Sequence, residues 1–165
     1  QARIRGVQLI MPEVRGWRLL LEEHRDQAFE GIGASRFGGR WNHKGYPAVY
    51  AGQNASQTVL EVFVHGALDR LATKQFLIIG FTLDVPQYSR LYVSDLPAGW
   101  RRSPPPRSTR DLGTEWLKSG DSPVLIIPSA VVPQDASLVI NPRHPDLQIR
   151  DVETESFVFD SRMLG

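Results

Sequence analysis

The sequence predicts a single α+β domain. Apolar runs of strand length come in short clusters, without the regular strand–helix alternation of a doubly wound sheet. Only residues 54–71 carry a long apolar repeat at helical spacing. The chain, at 165 residues, has the size of one domain and can bury roughly 70% of the surface its unfolded form exposes. Residues 1–10 read as a leader or upstream extension, with Met11 a candidate initiator, and residues 11–165 as the domain. No apolar run approaches the roughly 18 residues that a membrane span needs, and no signal peptide is readable, so a cytoplasmic protein is expected.

The elements follow in order. Trp17 to Leu21 is an apolar run around Arg18 whose length favours a strand. Glu30 to Tyr46, rich in glycine, reads as a long loop kept ordered by Phe37 and Trp41. Pro47 to Ala51 reads as a short strand. Val59, Leu60, Phe63, Val64, Ala67, Leu68 and Leu71 recur on one helical face, and Asn54, Ser56 or Thr58 can cap that helix. Phe76 to Leu83 is a strand that ends at Asp84 and Pro86. Arg107 to Gly120 reads as a helix stopped by its glycine. Val124 to Ile127 and Leu138 to Ile140 are buried strands joined by a proline-marked turn, and Phe157 to Phe159 reads as a last strand.

Composition excludes several chemistries. Nineteen basic residues face eighteen acidic ones, so overall charge points to neither nucleic acid nor membrane. Cysteine is absent, which removes disulfides, thiol nucleophiles, iron–sulfur clusters and cysteine-based zinc sites. His24, His43, His65 and His144 show no metal-ligand spacing, so no metal is expected. There is no P-loop, and no G-x-G-x-x-G follows a strand.

Six places can carry chemistry, each with a plainer alternative. In Gly38-Gly39-Arg40-Trp41-Asn42 the glycines allow close approach of a ligand, and Arg40 offers a five-donor fork for phosphate or ribose oxygens. The alternative is a tight turn with Arg40 in a surface ion pair. Tyr50 can stack on a flat heterocycle, or it is a core tyrosine with a satisfied hydroxyl. Glu61 lies on the amphipathic helix with Gln57, Thr58, Val64, His65 and Leu68 around it. Alternatively, Thr58 to Glu61 is a capping box. Ser129 stands at a strand end as a possible ligand donor, outside any G-x-S-x-G elbow. His144, in Asn141-Pro142-Arg143-His144-Pro145, is a catalytic candidate or part of a turn. Arg90, Arg101, Arg102, Arg107 and Arg110 make a local basic run, a solvated face or a surface for nucleic acid or an acidic protein.

In order and spacing these pieces resemble the RES domain, a family of bacterial toxins paired with Xre-type antitoxins. The resemblance runs from about Trp17 to Arg162. It is carried by Trp17-Arg18, by Gly38-Gly39-Arg40-Trp41-Asn42 with Gly45, and by Ala48-Val49-Tyr50-Ala51. Leu60-Glu61-Val62 with His65, Leu96-Pro97 with Trp100, and Gly113-Thr114-Glu115-Trp116-Leu117 continue it. Ile127-Pro128-Ser129-Ala130-Val131-Val132-Pro133 and Asn141-Pro142-Arg143-His144-Pro145 complete it. One departure is Asn42-His43-Lys44, where the family often has Asn-Pro; altered loop shape rather than altered chemistry is expected there.

The resemblance implies an ADP-ribosyltransferase-like fold, with small β-sheets forming a cleft flanked by helices. It implies that NAD is bound as a substrate, not as a recycled cofactor, and is cut at the nicotinamide–ribose bond. The acceptor would be water, phosphate or a protein. Arg40, Tyr50 and Glu61 match the family's active-site arginine, tyrosine and glutamate, and Arg18 and Ser129 match further NAD-binding positions. An Xre-type antitoxin is the implied partner, with no direct nucleic-acid contact by the toxin. Two rivals stand beside this reading. One is a non-catalytic module that uses the Arg90–Arg110 run on nucleic acid or protein. The other is a ribonuclease toxin that pairs His144 with Arg40.

Overall fold

A computed structural model describes residues 5–9, for which only the backbone path is used here, and residues 13–165. Residues 5–9 form an edge strand, β1 (Arg5–Leu9); the rest of the expected leader and Met11 lie outside the described residues. The remaining strands are β2 (Val14–Leu21), β3 (Val49–Gly52), β4 (Phe76–Leu83), β5 (Gln87–Arg90), β6 (Val124–Pro128), β7 (Ala136–Ile140) and β8 (Ile149–Phe157). The helices are α1 (Ile32–Phe37), α2 (Ala55–His65), α3 (Leu68–Thr73) and α4 (Arg107–Ser119). This is the mixed α+β class that the sequence predicts.

The strands join in the order β1-β5-β6-β7-β3-β2-β4-β8. Neighbours are antiparallel except β5 and β6. The joint between β2 and β3 is unlike the others. Only Trp17 and Gly52 face each other across it, whereas β2 pairs with β4 along its whole length, Val14 to Leu21. Two smaller sheets, β1-β5-β6-β7-β3 and β2-β4-β8, therefore meet at a single residue pair and part beyond it. The expected small sheets around a cleft take this form.

Alternate residues of β6 feed two different cores. Val124 and Ile126 face a cluster with Val49, Phe81, Leu83, Leu138 and Ile140. Leu125 and Ile127 face Trp41, Trp100, Trp116 and Val139. A strand covered on both sides reads as an unbroken apolar run, which is why Val124 to Ile127 is so plain in the sequence. A third cluster, with Leu19, Leu21, Leu71, Phe76 and Phe159, lies under α2 and α3.

Four local expectations change. The Glu30–Tyr46 loop contains the short helix α1, which the glycines at its ends and centre hide. The helix expected to run to Leu71 stops at His65, and Gly66 turns the chain. A Cβ at Gly66 would lie 2.6 Å from Leu71 Cδ2, so the glycine makes room for α3 to fold back. Of the three candidate caps, Asn54 is the one used, accepting from the Gln57 N–H at 2.7 Å. The last strand is β8, nine residues long and exposed on both faces. Phe159 lies beyond it and packs edge-on against Phe76 and Phe157, with ring centroids 5.3 and 5.1 Å away.

Helix α4 is held against the loop after α1 by an absent side chain. A Cβ on Gly113 would sit 1.9 Å from the Trp41 carbonyl oxygen, and neither backbone can yield cheaply. Gly113→Ala is expected to cost about 3 kcal/mol or more by overpacking. Gly33→Ala, where nothing lies within 4 Å, should stabilise by up to about 1 kcal/mol through helix propensity. Urea unfolding of the two variants beside the parent checks both the sign and the contrast.

Candidate active site

Where β2 and β3 part, a cleft of about 710 Å³ opens between the two half-sheets. This is a normal size for a small-molecule site. Its walls include Leu19 and Leu21 from β2, Tyr50 and Gly52 from β3, Gln57 and Glu61 from α2, and Arg40 from the glycine loop.

Glu61 is the seventh residue of α2, at the end of its second turn, so the capping-box alternative falls; Asn54 has that role. One carboxylate oxygen, Oε1, accepts from Ser129 Oγ at 2.5 Å and from Gln57 Nε2 at 3.3 Å. The other, Oε2, lies 3.7 Å from His65 Nε2. Burial pushes the Glu61 carboxyl up. The bonds and charge of His65, the Ser129 hydroxyl and the Val131 N–H outweigh that push, and the group ionises below the usual glutamate range. The result is a fixed, half-buried negative charge facing a mostly apolar cleft.

Ser129 is fully buried. Its oxygen accepts from the Val131 and Val132 N–H groups at 3.1 and 3.0 Å, and its single proton goes to Glu61. The sequence offers it as a possible ligand donor; in this structure its hydroxyl holds the carboxylate. The loop that carries it is clamped by Arg101, which donates to the carbonyls of Ala130 and Val131 at 2.8 and 3.2 Å.

Tyr50 lines the cleft with its hydroxyl occupied at both ends. It donates to Asn42 Oδ1 at 2.7 Å and accepts from the Trp41 N–H at 3.0 Å. Burial raises its ionisation well above the ordinary tyrosine value. Asn42, itself fully buried, donates through Nδ2 to the carbonyls of Ala34, His43 and Tyr46. The glycine loop is thus knotted to the tyrosine. Gly39 must stay small for this, since a Cβ there would meet the Tyr50 hydroxyl at 2.6 Å.

Arg40 is not in a surface ion pair. Its guanidinium donates to the carbonyls of Trp100 and Arg102 at 2.7 and 3.0 Å, which keeps it at the cleft. Burial lowers its pKa, and the nearby Glu61 and Tyr50 charges partly offset this. Arg18 is more extreme. It donates to the Tyr50 carbonyl at 2.7 Å, and its Nε is buried without an acceptor. Desolvation pulls its pKa down to about 10. Among the described residues no carboxylate pairs with it. A buried cation without a counter-ion is expensive; Arg18 is not among the residues that line the cleft, and its reach is to the backbone of Tyr50, which does line it.

The other candidates disperse. His144 is locked, with Nε2 at 3.0 Å from the Gly120 carbonyl and Nδ1 accepting from the Asp146 N–H at 3.1 Å. It lines a separate cavity with Tyr46 and Leu117, so it does not meet Arg40. The basic run is largely spent internally. Arg90 lies over the rings of Tyr88 and Tyr92, Arg107 faces Asp111, and Arg110 donates to the Pro105 carbonyl. Gln57 is named from the sequence only as a neighbour of Glu61; its role rests on the bond that helical spacing of four residues permits. Arg101 is seen there only as one charge of the basic run.

Residues 15–160 match the RES domain family, and the chain belongs to it. It is 36% identical to a protein named Toxin Res from Yersinia enterocolitica over 149 residues, 89% of this chain and 97% of that one. It is 31% identical to the Prs ADP-ribosylating toxin of a Sphingobium species over 156 residues, 90% of this chain and 95% of that one. In fold it is similar to a chain in the crystal structure of the M. tuberculosis MbcT–MbcA toxin–antitoxin complex, with a TM-score of 0.71 and 19% identity. That match covers 93% of this chain and 88% of the other. Among the described residues no helix is long and apolar enough to cross a membrane.

The knot around Tyr50 is testable without any substrate. Tyr50→Phe leaves the Trp41 N–H and Asn42 Oδ1 unpaired in a buried place. It should lower unfolding stability by about 1–3 kcal/mol. Denaturant titration measures this, and a change within 0.3 kcal/mol of zero (about the additivity error of such measurements) would show that the loop holds without the hydroxyl.

Proposed function

We propose that this chain is the toxin of a toxin–antitoxin pair and consumes NAD by breaking its nicotinamide–ribose bond. The observation that carries the reading is the joint presence, in one cleft, of an immobilised ionised carboxylate, Glu61, and a guanidinium, Arg40, with the Tyr50 ring between the same walls. The family to which the chain belongs, and the names of its relatives, support it.

The chemistry follows from the charges. When the glycosidic bond breaks, its electron pair leaves with nicotinamide, which becomes neutral, and positive charge spreads over the ribose C1′ and ring oxygen. Glu61 supplies a preorganised negative charge for that cation, already desolvated and already hydrogen-bonded, so it need not reorganise during the reaction. Oε2, the less bonded of its two oxygens, is the one left to hold a ribose hydroxyl. Arg40 binds the pyrophosphate oxygens through charge-assisted hydrogen bonds, and Arg18, which holds the Tyr50 carbonyl, adds positive charge from behind the wall. The Tyr50 ring stacks against nicotinamide while its hydroxyl keeps the glycine loop in place. Ser129 acts through Glu61, by position and by charge. Water, phosphate or a protein nucleophile then takes C1′. Such an enzyme, left unrestrained, would exhaust the NAD of its own cell, and an antitoxin of the Xre type that blocks the cleft is the partner this reading requires.

The deciding experiment incubates the purified chain with NAD, with and without inorganic phosphate, and identifies the products. Release of nicotinamide is expected, and NAD recovered intact would overturn the reading. Glu61→Gln should keep the melting temperature and NAD binding while losing about 10²–10³ in rate.

The acid limb of the pH–rate profile gives a second test. The reactive form is the carboxylate and its pKa is depressed, so activity is retained above that lowered value and lost as the pH falls through it. The wild-type limb should therefore lie below about 4.3, the ordinary glutamate value. Ser129→Ala removes one of the bonds that lower the pKa and should move the limb upward. A limb unmoved by Ser129→Ala would separate the serine from the reacting charge.

A further inference from the structure

Gln57 is almost entirely buried, with 3% of its surface exposed, yet it lines the cleft one helical turn before Glu61. Its amide nitrogen donates to Ser137 Oγ at 2.8 Å and to Glu61 Oε1 at 3.3 Å. An ionised carboxylate can only accept, so Glu61 fixes which way the amide points: NH₂ toward Glu61, oxygen away from it. Among the described residues the oxygen then has no hydrogen-bond partner. Buried amide oxygens without a donor are uncommon and cost the full desolvation of the group. The oxygen sits against Gly52, where a Cβ would lie 2.1 Å from it. Gly52 is also the residue that faces Trp17 at the point where the half-sheets part. Gln57 and Gly52 both line the cleft, so an unsatisfied amide oxygen is held in its wall, next to Glu61.

We propose that Gln57 reads the primary carboxamide of the nicotinamide ring, accepting one of its N–H hydrogens through Oε1; this rests on the NAD-cleavage reading above. An unpaired acceptor selects a ligand donor. Nicotinamide carries one donor group, its carboxamide, on the ring attached to the scissile bond. Residues four apart on a helix stand about 5–6 Å from each other. That separation suits Glu61 at a ribose hydroxyl and Gln57 at the amide of the base that ribose carries. Ser137 and Glu61 hold the glutamine in this pose before substrate arrives, so the contact costs little side-chain entropy. Gln57 thus ties substrate choice to the orientation of Glu61 through one amide group.

The test uses the full chain and two dinucleotides: NAD, and its 3-acetylpyridine analogue, which keeps the ring carbonyl but has a methyl group in place of the NH₂. The value of kcat/KM is measured for both with the wild type and with Gln57→Met, and dissociation constants are measured by calorimetry. Gln57→Met should lower kcat/KM for NAD about tenfold more than for the analogue, because only NAD loses a hydrogen bond. Any loss that comes through misplaced Glu61, or through a reduced folded fraction, falls on both dinucleotides alike and cancels in the ratio. Proportionate losses on the two substrates would overturn the proposal and leave Gln57 as a positioning residue for Glu61. Wild type that binds both dinucleotides but cleaves neither would overturn the NAD-cleavage reading alone, and the binding ratio would then decide on Gln57. Failure to bind either would overturn both.

Discussion

The site depends on one short joint. Strands β2 and β3 share a single residue pair, Trp17 and Gly52, and separate at once. Parting strands leaves backbone carbonyls without ladder partners, and buried carbonyls need donors. Side chains supply them here. Arg18 takes the Tyr50 carbonyl, and Thr58 donates to the Trp17 carbonyl at 3.3 Å. The residues that mend the split sheet are therefore drawn to the cleft that the split creates. That is how an arginine comes to be buried behind the cleft wall, and why α2, which carries Thr58, lies along the opening and brings Gln57 and Glu61 with it.

From that joint a chain of hydrogen bonds runs across the cleft: Ser137 to Gln57, Gln57 to Glu61, Glu61 to Ser129, and Ser129 to the Val131 and Val132 amides. Its ends lie on β7 and on the loop after β6, which pair with each other. The carboxylate on α2 is thus braced to the opposite half-sheet. A second brace works on the rim. Arg40 and Arg101 both hold carbonyls across loops, one around Trp100 and the other around Ala130. Four arginine–carbonyl bonds thus tie the glycine loop, the loop around Trp100 and the loop after β6 to one another.

What the sequence makes legible follows from burial. Strands covered on both sides, such as β4 and β6, show as apolar runs. Strand β8 has its residues in water on both faces, so no apolar alternation marks Arg150 to Ser156, and only Phe157 stands out. The two half-sheets are legible only through the family resemblance, since which strand meets which is a non-local fact. In the site, Arg40, Tyr50 and Glu61 are found from their motifs and do share one cleft. The bonds of Ser129 and Gln57 escape a linear reading, because each depends on a partner more than 60 residues away, Glu61 for the serine and Ser137 for the glutamine. The capping alternative for Glu61 turns on where α2 begins, and Asn54, which caps the helix, removes it.

The bare outer edge of β8 has a consequence for how this protein behaves in a crowded solution. An exposed strand of nine residues is a template on which another copy of the chain could add itself. Its sequence, Ile149-Arg150-Asp151-Val152-Glu153-Thr154-Glu155-Ser156-Phe157, sets acidic residues at every second position through its middle. Were two copies to meet antiparallel about Glu153, that residue would face its own counterpart, while the bulge at Asp151, where φ is +52°, would break the ladder beyond it. Like charges directly opposed across strands are destabilising. The acidic comb therefore guards an unprotected border against self-association, and the chain keeps its longest open edge without turning it into a seam for fibres.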